Sequence, residues 1–117
     1  MVVRWADGVP ANALYLSVIS IFEIELGMLQ VQRRDPIQAE ILRVWIEEKI
    51  LPQFAGRMFP VDLDIARRCA ALHVPNPRSE RYAYIAATAL VHNMTVVTRN
   101  TVDFAATGVP TINPWEA

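Results

Sequence analysis

The 117-residue sequence is poor in cysteine, glycine, histidine and lysine. Its one cysteine, Cys69, excludes an intrachain disulfide and fits a reducing, cytoplasmic compartment. Its four glycines, Gly8, Gly27, Gly56 and Gly108, are too scattered for a dinucleotide fingerprint or a phosphate-cradling loop. His73 and His92, even joined by Cys69, match no zinc-ligand spacing. The longest apolar stretch, residues 14–22, is interrupted by Ser17 and Ser20, whereas a membrane helix needs about 20 apolar residues. No charged segment followed by an apolar one opens the chain, so the expectation is a cytoplasmic protein with no membrane association. A strong positive charge is also missing. The formal net charge is -1, which excludes a broad basic nucleic-acid footprint but not an enzyme that acts on nucleic acid. The single lysine, Lys49, lies mid-helix, which excludes a phospho-receiver domain with its lysine at a strand end.

Apolar residues make up 53% of the chain and charged residues 20%, enough to bury a real core in a single domain over residues 1–117. Residues 2–7 read as a helix end and residues 14–18 as a short buried strand. From Ser20 a helix is expected to run to about Gln32, with Ser20 and Glu23 as a capping box. Asp35-Pro36 opens a second helix, whose apolar stripe is Ile37, Ile41, Val44 and Trp45. Pro52 and Gly56 mark its end. Residues 57–61 form a candidate strand. Asp62 caps a third helix with Ile65, Ala66, Cys69 and Leu72 inward, and residues 75–78 make a turn. Ser79 begins a fourth helix, whose Ala86, Ala87 and Ala89 allow close packing on a sheet. Asn93 is a left-handed cap. Residues 94–98 are the strongest strand, and Thr111-Ile112 a last short one. Strands alternating with helices imply an α/β architecture with a parallel sheet covered by helices. In such sheets chemistry sits beyond the carboxyl ends of the strands, here at residues 17–23 and 98–103.

The candidate residues follow from those two places. Glu23 is a carboxylate aimed into a site or the partner of Ser20 in a capping box, and taken alone its spacing favours the capping box. Asp103 is a second carboxylate or a turn residue ahead of Phe104. Thr98 and Asn100 offer oxygens to an ion or phosphate, or stabilise the turn, and Arg99 is a phosphate contact or a surface charge. Asp62 and Asp64 open a helix, where acidic residues serve as cap and dipole partner. His73 and His92 lie near helix ends and read as structural.

Taken together, the segments Leu16-Ser17-Val18-Ile19-Ser20 with Glu23 and Gly27, Ile85-Ala86-Ala87-Thr88-Ala89, Val97-Thr98-Arg99-Asn100 with Asp103-Phe104, and Asn113-Pro114-Trp115 resemble the PIN-domain nucleases of the VapC and FitB-like toxin type. The resemblance spans residues 2–115. It implies a three-layer α/β/α fold and an endoribonuclease that uses Mg²⁺ or Mn²⁺ held by three or four carboxylates. It also implies an RNA substrate, a cognate antitoxin and a homodimer. Glu23 matches the family's helix glutamate and Asp103 its last aspartate, with Thr98, Arg99 and Asn100 as supporting polar positions. Two expected aspartates find no match. One belongs to an opening strand, so the first strand is expected to be missing from this chain. The other belongs at the head of the Ile85-Ala86-Ala87 helix, where Tyr82 stands, neutral at pH 7. The resemblance therefore implies impaired catalysis or, as the alternative, an inactive domain that still binds an antitoxin.

Overall fold

The computed structural model describes residues 9–114. They fall into two compact units, one of Tyr15–Phe59 and the other of residues 9–14 and 60–114. The expected helix end at residues 2–7, and Trp115, lie outside the described residues.

The unit of residues 15–59 starts with strand β1 (Leu16–Ser17) and passes directly into helix α1 (Val18–Gln32). Ser17 sets that junction. Its backbone is extended (φ −80°, ψ 147°), and its Oγ accepts the Ile19 N–H at 3.0 Å, satisfying one of the donors left open at a helix start. The helix therefore begins two residues before Ser20, and the expected Ser20–Glu23 capping box does not form. Ser20 followed the spacing rule, but Ser17 was already capping. Helix α2 (Pro36–Trp45) starts as expected, with the Asp35 carboxylate accepting the Gln38 N–H at 3.0 Å and proline at the first helical position.

The chain stays helical beyond α2. A π-helical stretch, Ile46–Ile50, leads into a last turn, Leu51–Gln53, and the Leu51 N–H donates to the Ile46 carbonyl five residues back. Proline crowds the carbonyl four residues before it, and the wider turn gives the ring of Pro52 room. Gly56, at φ +80°, then reverses the chain into strand β2 (Met58–Phe59). β2 runs parallel to β1, with Leu16 opposite Met58 and Ser17 opposite Phe59. The rings of Tyr15 and Phe59 stack at 5.0 Å.

The apolar stripe of α2 is exposed. Ala39 and Ile46 are the buried residues, whereas Ile37 is 78% exposed and Ile41, Val44 and Trp45 are all exposed. The four do share one helix face. Periodicity identifies a face but not which side the chain itself will cover.

The other unit is built around helix α4 (Glu80–Val91). On one side Ala83 and Ala87 pack with Ile65 and Cys69 of helix α3 (Leu63–Leu72). On the other, Ala86 and Ala89 pack with Val96, Phe104 and Val109. A helix covered on two sides needs small residues, and all four of these alanines are buried. Ala66, expected inward, is exposed, because the α3 face that meets α4 is centred on Ile65 and Cys69. Asn93 closes α4 at φ 56°, as expected, and the Met94 N–H donates to the Ala89 carbonyl at 2.8 Å. Strand β3 (Val96–Val97) pairs in parallel with a final strand, β4 (Thr111–Ile112), with Val96 opposite Thr111. Between them lies a short helix, α5 (Thr101–Ala105), and the turn at Gly108, φ +81°. The first three strands are shorter than their sequence patterns, because a strand extends only as far as its partner does, whereas β4 has the expected bounds.

Asp62 caps α3, its carboxylate accepting the Ile65 N–H at 3.0 Å. Asp62→Ala is expected to cost about 1 kcal/mol and to lower the melting temperature by about 4 °C, read by thermal unfolding. Among the described residues no helix is long and apolar enough to cross a membrane.

Candidate functional site

The end of β3 positions four of the candidate residues. Backbone pairing with the β4 segment holds both ends of the strand: the Val96 N–H donates to the Pro110 carbonyl at 3.0 Å and the Thr98 N–H to the Ile112 carbonyl at 2.9 Å. Thr98 then folds the chain over. Its Oγ1 accepts the Asn100 N–H at 3.0 Å, a side-chain turn that replaces the lost strand pairing. The amide of Asn113 donates to the Arg99 carbonyl at 3.5 Å, tying the loop to the residue after β4. Asn100 is the residue at which α5 begins, and its carbonyl accepts the Asp103 N–H at 3.1 Å. Thr98 and Asn100 thus shape the loop through hydrogen bonds of their own, one of the two roles the sequence left open.

Asp103 is exposed, while the next residue, Phe104, is 2% exposed and among the largest fully buried side chains. A buried aromatic anchor next to a solvent-facing carboxylate fixes the acidic group without burying its charge, which would be costly. Tyr82, the third residue of α4, packs its ring against Phe104 at 5.2 Å between centroids, tilted by 58°. The structure therefore gathers Thr98, Arg99, Asn100 and Asp103 on one loop, and Tyr82, in the same unit, touches the residue after Asp103. Tyr82 is partly buried and belongs to the apolar packing around Phe104.

Glu23 is carried by the other unit. It is the sixth residue of α1 and partly buried. Because Ser17 starts the helix, Glu23 lies beyond the first turn, where a carboxylate no longer serves a cap. The bland explanation of Glu23 is removed by that shift.

The other acidic and histidine candidates have structural roles. Asp62 is a cap. The His73 Nδ1 accepts the Arg78 N–H at 3.0 Å at the end of α3. His92 is the C-cap of α4. Sequence reasoning missed Arg78, which it passed over as part of a turn. The Arg78 Nε donates to the Leu72 carbonyl at 2.6 Å, and its NH2 group reaches the Ala106 carbonyl at 3.4 Å. An arginine just after a Pro-Asn-Pro turn that follows a helix was the available signal, since arginine suits helix C-termini.

Hard divalent cations prefer oxygen ligands, and Mg²⁺ keeps several waters while taking only one or two carboxylates. The carboxylate of Asp103 in one unit and that of Glu23 in the other are each a donor of that type. The number of donors is small, since among the described residues no group of three or more His, Cys, Asp or Glu side chains gathers as a metal cage.

Cys69 is 4% exposed, and burial, with a smaller contribution from the Glu80 charge, pushes its thiol above the ordinary 9.0. The folded chain therefore keeps a proton that the unfolded chain releases above pH 9, so this contribution to stability is constant below pH 9 and falls as pH rises past it. In urea unfolding, the stability gap between wild type and Cys69→Ala is expected to narrow from pH 8 to pH 10, by at most about 1.4 kcal/mol per pH unit.

Residues 2–109 match the PIN domain family. The chain is 37% identical over 123 residues to VapC ribonuclease Y4jK of Sinorhizobium fredii, covering 98% of this chain and 84% of that protein. It is 37% identical over 119 residues to Toxin FitB of Neisseria gonorrhoeae, covering 97% and 84%. The crystal structure of FitAcB from Neisseria gonorrhoeae superimposes with a TM-score of 0.89 at 34% identity, covering 98% of this chain and 85% of that one.

Proposed function

The chain belongs to the PIN domain family, in its VapC and FitB-like toxin branch, and from that premise we propose that it is the ribonuclease toxin of a toxin–antitoxin pair, with catalysis weakened at Tyr82. The substrate in this reading is RNA and the reaction is hydrolysis of an internal phosphodiester bond. The observation that carries it is the end of β3: a strand held in register by β4, a turn locked by Thr98, and Asp103 exposed beside the buried Phe104.

In this reading Asp103 and Glu23 hold Mg²⁺ or Mn²⁺. When bound, such an ion supplies neutralisation of phosphate charge and a more acidic water. Thr98 and Asn100 keep the Asp103 turn in shape. Arg99, next to that turn, suits the phosphate, since a guanidinium recognises phosphate oxygens through a planar fork. Tyr82 takes the place where the family resemblance implies another carboxylate. Its phenol adds no negative charge, and its packing on Phe104 fills space there.

A cognate antitoxin and a second copy of the chain are the proposed protein partners. The face of α2 that exposes Ile37, Ile41, Val44 and Trp45 supports a protein partner, because contiguous exposed apolar surface marks such interfaces. That face and Tyr82 together favour the second reading as well, an inactive domain that retains antitoxin binding.

The test is RNA cleavage by the purified chain with Mg²⁺ or Mn²⁺ and an EDTA control. Slow cleavage that EDTA abolishes is the expected result. Cleavage indifferent to EDTA overturns the metal assignment, and a folded chain with no cleavage gives the second reading.

A further inference from the structure

Arg78 joins two helix ends that the chain separates widely. Its Nε donates to Leu72, the last residue of α3, and its NH2 group to Ala106, the residue that caps α5. Its own N–H donates to the His73 Nδ1, which fixes the base of the side chain. A guanidinium is planar, with donors in a rigid fork. Two carbonyls bound by one such fork are held at a set distance and angle from each other. Its positive charge also lies at the carboxyl end of α3, where a cation is favourable.

α5 needs such a support. It has five residues, far below the length at which a helix is stable alone. Phe104 anchors its inner side, and the Thr107 Oγ1 donates to the Phe104 carbonyl at 2.6 Å. Neither contact holds the Ala106 carbonyl, at the end of α5. Asp103 stands three residues before Ala106, so motion of that end is motion of the Asp103 backbone.

We infer that Arg78 is a positioning residue for Asp103: it clamps the end of α5 to the end of α3 and so holds the carboxylate in the place where it meets a divalent cation. The clamp itself stands on the hydrogen bonds of Arg78. Its consequence for a metal rests on the reading of Asp103 given above.

The test uses the full chain and the variants Arg78→Gln and Arg78→Lys, with two measurements. The first is amide hydrogen exchange without metal. Arg78→Gln is expected to speed exchange at Asp103 and Thr107 by about tenfold and to leave Cys69 and Ala86 nearly unchanged. Lysine, a point charge with no fork, is expected to fall between. The second is RNA cleavage against Mg²⁺ concentration. Half-saturating Mg²⁺ is expected to rise by about tenfold, with kcat at saturating Mg²⁺ nearly kept. Unchanged exchange at Asp103 and Thr107, or equal acceleration at all four sites, overturns the clamp. A wild-type chain that cleaves no RNA overturns the nuclease reading instead, and the exchange result still decides the clamp.

Discussion

Replacing Asp103 by asparagine is expected to lower metal-dependent RNA cleavage by about 100-fold or more, while thermal unfolding barely moves. Residues that only orient a metal ligand cost about 10–100-fold when changed, and a ligand itself should reach the top of that range. Asparagine keeps the shape and one oxygen but removes the charge. The effect on stability is small because Asp103 is exposed and its side chain fills no core position; such substitutions usually stay within about 0.5 kcal/mol. The same loss is expected for Glu23→Gln. The two changes come from different units of the chain, so a matching loss in both would tie both units to one chemistry. Activity of Asp103→Asn within threefold of wild type would remove Asp103 from the ligand set.

Tyr82→Asp is expected to act in the opposite direction on activity and against stability. A carboxylate there adds negative charge in the Asp103 neighbourhood, and ligand charge count is a main control of divalent-cation affinity. Half-saturating Mg²⁺ is expected to fall by roughly tenfold, with faster cleavage. The cost is the ring. The pairing of Tyr82 with Phe104 is worth about 0.5–1.5 kcal/mol beyond its buried area. A new charge on a partly buried position adds to that, for a total of about 2 kcal/mol. The melting temperature should fall by about 8 °C. Added Mg²⁺ should then recover more of that loss in Tyr82→Asp than it adds to wild type, because a ligand that binds only the folded state stabilises it. A thermal-shift titration reads both. A variant that melts as wild type and gains no metal response would show that position 82 lies away from the site.

Local physics decided what could be read before the structure. The caps Asp35 and Asp62, the proline at position 36 and the left-handed Asn93 depend on residues within one turn, and all four occur as expected. Ser17 and Ser20 both precede an apolar helix, and only the backbone geometry chooses between them. Residues 14–18, 57–61 and 94–98 form shorter strands than their patterns because pairing ends where the partner ends, and the partners here lie 42 and 15 residues away in register (58 − 16 and 111 − 96). The α2 stripe was legible as a face but not its exposure, since cover comes from elsewhere in the chain or from a partner. At the site, the polar loop after β3 was legible from composition and order. The contact of Tyr82 with Phe104 and the reach of Arg78 to Ala106 join residues 22 and 28 positions apart (104 − 82 and 106 − 78), and no spacing rule relates them.

The burial of Cys69 also makes the chain a convenient starting point for spectroscopy. Its only thiol is shielded in the packing between α3 and α4, so maleimide dyes should react with it slowly in the native state. A cysteine introduced at Val102, which is 86% exposed and adjacent to Asp103, would then be the one fast-reacting position. A fluorophore there would sit next to the proposed metal ligand and report ion or RNA binding by a change in emission, with no wild-type residue needing removal first.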